Sequence, residues 1–106
     1  MEQLVRIQDI EAMRRREGID DVELRQEIHA LGVRDLVRLT LLTGDPSFAG
    51  ETVLVRVTAV RGTSFRGVLV RRPTAKGLTG LLAGSPLTFS ADHIHSLLRE
   101  SSGDAR

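Results

Sequence analysis

Hydrophobic positions follow one period before Gly32 and a different period after it. In the first part, apolar residues recur every three or four positions, which predicts helices. In the second part, apolar and polar residues alternate over several runs, which predicts strands. The pattern therefore predicts an α+β protein with an N-terminal helical hairpin, a strongly bent antiparallel β-barrel of about five strands, and a short C-terminal helical turn.

The helical part divides into two predicted helices. The first covers residues 2–16 and places four apolar residues near one face before Gly18 ends it: Leu4, Ile7, Ile10 and Met13.

The second predicted helix has a sequence signal at each end. Asp20 and Glu23 fit a capping box, and Ile19 and Leu24 fit a hydrophobic staple at its start. At its end, Gly32 fits a C-terminal glycine, with Val33 packing back on Ile28.

Alternating runs predict the strands of the barrel. Val37, Leu39 and Leu41 share one face of the first run. Residues 52–61 and 65–72 form two further runs, and the turn at 62–64 between them predicts a hairpin. The second run points Val53, Val55 and Val57 inward, and a bulge near Thr58 and Ala59 is expected to return Val60 to that inner face.

The outer face of this hairpin is more apolar than a face left to solvent usually is. Its predicted members are Leu54, Arg56, Arg66, Val68, Val70 and Arg72. Either the N-terminal helices or a second copy of the chain would cover it. We expect the helices, because their apolar stripes otherwise have no partner.

The remaining residues complete a single predicted domain. Residues 87–89 read as a short strand, and Ser90 is placed to cap a final helical turn that carries Ile94, Leu97 and Leu98. We expect one domain over residues 1–100, with the helical part at 1–32 and the β-barrel at 33–100. Residues 101–106 are small and polar, and a frayed tail is expected there.

Several stretches of the second half form a wider pattern. They are VRDLV at 33–37, LVRVT at 54–58, Gly62 followed by FRGVL at 65–69, Pro73, and Leu82, Gly84, Leu87 and Phe89 before His93 and Ile94. This pattern resembles small bacterial domains of unknown function that have an SH3-like barrel. The chain departs from the family at Leu54, where an aromatic often stands, and at Arg34, where glycine is usual. The resemblance implies the barrel fold and brings no catalytic residue.

Composition excludes several classes of function. The chain has 106 residues and no cysteine, so it holds no disulfide, thiolate metal site or cysteine nucleophile. The charged N-terminal thirty residues predict no signal peptide, and the expected location is the cytoplasm. The net charge of +1 hides an asymmetry: residues 1–35 have nine acids and six bases, whereas residues 36–99 have eight bases and three acids. The second half alone can therefore attract anions.

Candidate chemistry is sparse. His93 and His95 do not complete a zinc ligand set, even with Asp92 beside them. The chain carries neither a G-x-S-x-G nor an H-E-x-x-H motif, and its glycines at 77, 80 and 84 do not form a phosphate loop. A helix-turn-helix with Arg14, Arg15 and Arg16 on phosphates is disfavoured, because the second helix starts with acids. We predict no enzyme activity, cofactor, metal or catalytic residue.

Two binding functions remain. The first is a non-catalytic protein-interaction module, either an adaptor or a small inhibitory, immunity-type partner protein. Its candidate contacts are Asp45, Phe48, Leu54, Val68 and Val70, and a homodimer through Val68 and Val70 is compatible with it. The alternative is a barrel that binds nucleic acid with low specificity through Arg56, Arg61, Arg66, Arg71, Arg72 and Lys76. Neither a membrane nor a small-molecule substrate is indicated.

Overall fold

The computed structural model describes residues 6–18, 22–43, 50–78 and 80–98, apart from the side chain of Lys76. These residues form six strands, two α-helices and two short 3₁₀ helices. In chain order they are β1 (Arg6–Ile7), α1 (Ile10–Arg16), α2 (Val22–His29), β2 (Leu36–Leu42), β3 (Glu51–Arg61), β4 (Ser64–Leu69), η1 (Lys76–Leu78), β5 (Pro86–Ser90), η2 (Ala91–His93) and β6 (Ile94–Leu98).

The strands form one antiparallel sheet that curls into a nearly closed barrel. β2, β3, β4 and β5 are neighbours in that order, and β6 returns to pair with the free side of β2. The two-residue strand β1 pairs with the far end of β2, at Leu41 and Leu42. The α+β class and the small bent barrel expected from the sequence are confirmed at this level, and the architecture is compatible with an SH3-like barrel.

The core consists of the inward-facing residues of these strands. Val37, Leu39 and Leu41 of β2 are fully buried, and so are Val55 and Val57 of β3. Alternation predicted this inner face because side chains on successive strand residues point to opposite sides. Truncating a buried leucine to alanine costs about 2–5 kcal/mol, so this interior sets most of the stability of the barrel.

A bulge in β3 confirms one prediction and corrects another. Val57 pairs with Gly67 and Ala59 pairs with Arg66, so Thr58 is the extra residue. The bulge brings Val60 opposite the buried Phe65, as expected, but Val60 remains 38% exposed. At this end of the hairpin β3 extends past the filled core, and Val60 lines a cavity of about 230 Å³ beside Phe65.

The first helix is shorter than predicted. Arg6 and Ile7 lie in β1, and α1 begins only at Ile10. Asp9 sets this start because its side chain accepts a hydrogen bond from the backbone N–H of Ala12 at 2.9 Å. The helix predicted over residues 2–16 is therefore wrong at Arg6 and Ile7. There, pairing with β2 outweighs the helical pattern of the local sequence. Leu4 lies outside the described residues.

The second helix lies within the range that the sequence predicts. Leu24 is buried, and Leu31, just beyond the helix, belongs to the core. Ile19, Asp20 and Asp21 lie outside the described residues, so the capping box and the staple stay predictions. The predicted C-terminal glycine is wrong, because the positive φ falls at Arg34 instead of Gly32, and Val33 is 57% exposed.

The predicted C-terminal helical turn is present only over Ala91–His93, and the residues from Ile94 onward form a strand instead. Ser90 precedes the single 3₁₀ turn η2, and Ile94 then begins β6. Leu97 pairs with Val37 and Leu98 pairs with Leu36, because the free side of β2 offers backbone partners that outweigh a marginal helical turn.

The helices make their main contacts with elements other than the hairpin. The main contacts of α1 are with η2, and those of α2 are with β6. Ile28 of α2 packs against the core, so the helices bury apolar residues beside one end of the barrel. No helix in the described part of the chain is both long and apolar enough to cross a bilayer.

Candidate nucleic-acid interface

Charge is unevenly divided among the strands. The six strands contain five arginines but one acidic residue, Glu51. Glu51 pairs with the buried Leu41, and directly opposed residues lie on the same face, so this carboxylate is on the inner side of the sheet. The outward positions of the described strands therefore carry arginines without any acid.

Four of these arginines are diagonal neighbours across three strands. Arg38 pairs with Leu54, which stands two residues before Arg56. Arg56 pairs with Val68, which stands two residues after Arg66. Diagonal neighbours on one face lie about 7–8 Å apart.

The fourth arginine extends this line to the hairpin tip. Arg61 pairs with Ser64, two residues before Arg66. We call the four residues Arg38, Arg56, Arg61 and Arg66 the arginine face. The register of the strands sets the spacing between its members. Each arginine pairs with a residue on the neighbouring strand, and the next arginine stands two positions from that residue.

A groove of about 460 Å³ opens at the tip of the arginine face. Arg61 and Arg66 line it together with Ser64, Thr88, Ala59 and Phe65. Guanidinium and hydroxyl groups are the donors that bind phosphate oxygens. The groove can therefore accept a phosphate group.

Most of the arginine face has no partner among the described residues. The side chains of Arg56, Arg61 and Arg66 are exposed, and none makes an ion pair or hydrogen bond with a described residue. Arg38 is half-buried and donates to the Ser96 hydroxyl at 3.2 Å. Three of the four guanidinium groups can therefore reach an external anion without breaking an internal contact.

The other predicted nucleic-acid contacts do not join this surface. Arg71 and Arg72 are exposed but follow the end of β4, at the opposite end of the hairpin from Arg61. The side chain of Lys76 lies outside the described residues. The structure thus brings together Arg56, Arg61 and Arg66, half of the predicted set.

The arginines of α1 serve the fold. Arg14 donates to the backbone carbonyl of His95 at 3.0 Å, which ties α1 to β6. Arg15 forms an exposed ion pair with Glu11 at 3.7 Å. These contacts give two of the three arginines partners within the fold, and the half-buried Arg14 departs from the solvated helix end that the sequence predicts.

Of the five residues predicted to contact a protein partner, three lie on the described outer face and two lie outside the described residues. Leu54, Val68 and Val70 lie on the outer face of the sheet, where Val70 donates its N–H to the Leu54 carbonyl at 3.0 Å. All three are half-buried. Asp45 and Phe48 lie outside the described residues. The apolar part of the outer face is thus less open to solvent than the sequence suggested.

Glu51 has a structural role at the other end of β3. Its carboxylate accepts hydrogen bonds from the N–H groups of Thr74 and Ala75 at 2.9 and 2.8 Å, and from the Thr74 hydroxyl at 3.1 Å. Burial alone would raise the pKa of this carboxyl, but these hydrogen bonds to the charged form outweigh it and lower the pKa. These hydrogen bonds therefore hold the segment that follows Pro73 against β3.

The histidines are engaged locally. The Ser90 N–H donates to His93 Nδ1 at 3.0 Å, and His95 Nδ1 lies 3.1 Å from the Ser96 hydroxyl. Across the described ranges, no group of three or more His, Cys, Asp or Glu residues could hold a metal ion.

Arg38 is a member of the arginine face that the sequence did not predict. The alternation of β2 placed it on the outer side, opposite Val37 and Leu39, but the pairing of Arg38 with Leu54 was needed to join it to Arg56. Register between strands is not readable from either strand alone.

The chain was compared with protein-family models, with curated proteins and with solved structures, and none of them matched. Its function therefore has to be inferred from the charges and contacts of its own residues.

Proposed function

We propose that this protein binds double-stranded nucleic acid through contacts between the arginine face and the phosphate backbone. The observation that carries the proposal is the distribution of charge over the strands, five arginines against a single inward-facing acid. Phosphate contacts supply most of the affinity of low-specificity binding. The outward positions of the described strands carry no acid, which avoids the repulsion that carboxylates there would exert on a duplex.

A duplex is a better ligand for this surface than a single strand. Proteins that bind single strands usually stack bases on exposed aromatic side chains. Phe65 and Phe89 are buried and stack on each other, with ring centroids 5.5 Å apart. The described outer face offers no aromatic ring, whereas backbone contacts to a duplex need none.

The proposed architecture behind this surface is an SH3-like barrel. The return of the chain through η2 into β6, which pairs with β2, supports it together with the sequence resemblance. Small barrels of several types present curved sheet faces to nucleic acid. The barrel would then serve as a rigid support that fixes the spacing of the arginines.

Fluorescence anisotropy with a labelled 20-base-pair duplex of mixed sequence tests the proposal. We expect binding at 50 mM salt and a slope of log K against log salt concentration of about −0.9 for each phosphate contact, which is about −3.6 for the four members of the arginine face alone. Affinity should then fall by roughly a hundredfold between 50 and 200 mM salt. Absence of binding at 50 mM salt, or affinity that does not change with salt, would contradict the proposal.

A second candidate is the protein-interaction module. Leu36, Val68 and Pro86 stand on the outer face in the same row as Arg56, which places apolar area beside the cations. Arginine and apolar residues together are typical of protein interfaces. Sedimentation of the chain at several concentrations tests its homodimeric form, in which Val68→Ser should restore a monomer. A wild-type chain that stays monomeric would count against the homodimer.

A further inference from the structure

Two turns of the barrel have the same hydrogen bonds. The first precedes β2: the Asp35 N–H donates to the Gly32 carbonyl at 3.2 Å, and the Gly32 N–H donates to Asp35 Oδ2 at 2.8 Å. The same turn joins β3, because the Arg34 N–H donates to the Val57 carbonyl at 2.8 Å and the Val57 N–H donates to the Asp35 carbonyl at 2.8 Å.

The second turn precedes β5 and repeats each of these contacts. The Ser85 N–H donates to the Leu82 carbonyl at 3.0 Å, and the Leu82 N–H donates to Ser85 Oγ at 2.8 Å. The Gly84 N–H donates to the Leu69 carbonyl at 2.7 Å, and the Leu69 N–H donates to the Ser85 carbonyl at 3.0 Å. Arg34 and Gly84 therefore occupy equivalent positions.

The shared position requires a backbone conformation that favours glycine. The φ angle is 85° at Arg34 and 90° at Gly84, and Arg34 is the one non-glycine residue with positive φ in the described part of the chain. The third residue of a type II turn and the first residue of this kind of bulge are both usually glycine. Arginine at position 34 therefore strains the turn.

Arg34 lies beside the arginine face. Its N–H contacts the carbonyl of Val57, the residue that follows Arg56 on β3. On the other side of β3, the bulge pairs Ala59 with Arg66. Neighbouring strands are about 4.8 Å apart, so Arg34 and Arg66 flank the bulge of β3. Arg34 is exposed, and the carboxylate of Asp35 beside it accepts the Gly32 N–H.

We propose that Arg34 is a fifth phosphate contact, which extends the arginine face over the β3 bulge at the expense of backbone strain in its turn. Residues with strained backbone cluster at functional sites, and an observed outlier is a reason to look for a function there. The inference rests on the proposed function, because it assumes the same duplex ligand. It adds that stability and binding oppose each other at this position.

Arg34→Gly separates the two effects. Melting temperature should rise by roughly 2–6 °C, because the steric cost of positive φ that glycine removes exceeds the conformational entropy that glycine adds to the unfolded chain. Affinity for the 20-base-pair duplex at 100 mM salt should fall by roughly fivefold to tenfold, and the salt slope should weaken by about 0.9. Arg34→Lys is the matched control, since it keeps both the charge and the strained position. It should keep most of the affinity without the gain in melting temperature.

The outcomes distinguish this inference from the proposed function. If Arg34→Gly binds as tightly as the wild type while Arg56→Gln with Arg66→Gln loses binding, Arg34 is not a contact, although the proposed function stands. If Arg34→Gly does not raise the melting temperature, the strain at position 34 is refuted. If the wild-type chain does not bind the duplex, the proposed function fails and this inference fails with it.

Discussion

Gly67 lies on β4 at a point where β3 leaves no space for a side chain. A Cβ atom there would lie 2.5 Å from Val55 Cγ1 and 2.6 Å from the Arg56 carbonyl oxygen. Its strand partner is Val57, the last residue before the bulge. Two neighbouring atoms, one of them backbone, therefore leave no room for a side chain at this position.

Gly67→Ala should therefore destabilise the barrel by about 2–3 kcal/mol, since the added methyl group overlaps atoms that cannot move independently. Urea unfolding measures this change. Gly80→Ala is the matched control because its Cβ would meet nothing within 4 Å, and it should change stability by less than about 0.5 kcal/mol. Equal effects of the two substitutions would contradict the proposed close packing.

Glu51 makes stability depend on pH. Its folded-state pKa is lowered, so the stabilisation is present above the unfolded-state pKa and is lost as pH falls through the folded-state pKa. Glu51→Gln should cost about 1–2 kcal/mol at pH 7. Urea unfolding at pH 7 and at acidic pH should show this difference shrink on acidification. A difference that stays constant over this range would contradict the role of the charged carboxylate.

Among the elements, the strands were predicted well because burial repeats every second residue. Val37, Leu39 and Leu41 show the alternation directly, and the β3 bulge was inferred from the break in it at Val60. Residues 94–98 and 6–7 were predicted as helical and are strands. Each pairs with β2, which is distant in sequence, and no local pattern reports a distant partner.

The position of α1 is set by Arg14. Arg14→Ala removes the hydrogen bond to the His95 carbonyl and should destabilise the chain by about 1–2 kcal/mol, with faster hydrogen exchange in α1. Arg16→Ala, on the exposed end of the same helix, is the control and should have little effect on stability. Neither substitution should weaken duplex binding more than general loss of charge does. A larger loss with Arg14→Ala or Arg16→Ala would instead favour the helix-turn-helix interpretation.

At the scale of the whole molecule, an almost neutral chain presents a basic surface. The net charge is +1, yet the acidic residues are concentrated before residue 36 and the strands are nearly free of them. The counts of acidic and basic residues in 1–35 and 36–99 predicted this asymmetry. It could not predict which arginines meet, because Arg38 and Arg66 become members of one surface only through the registers of β2 with β3 and of β3 with β4.

The most direct test of the arginine face compares two double variants with the same net charge. Arg56→Gln with Arg66→Gln removes two neighbouring members of the face, whereas Arg71→Gln with Arg72→Gln removes two exposed arginines at the other end of the hairpin. Duplex affinity is measured by anisotropy for both variants and the wild type from 50 to 200 mM salt. We expect the first variant to weaken the salt slope by about 1.8 and the second to leave it nearly unchanged. Equal losses would show that overall charge, and not the arginine face, determines binding.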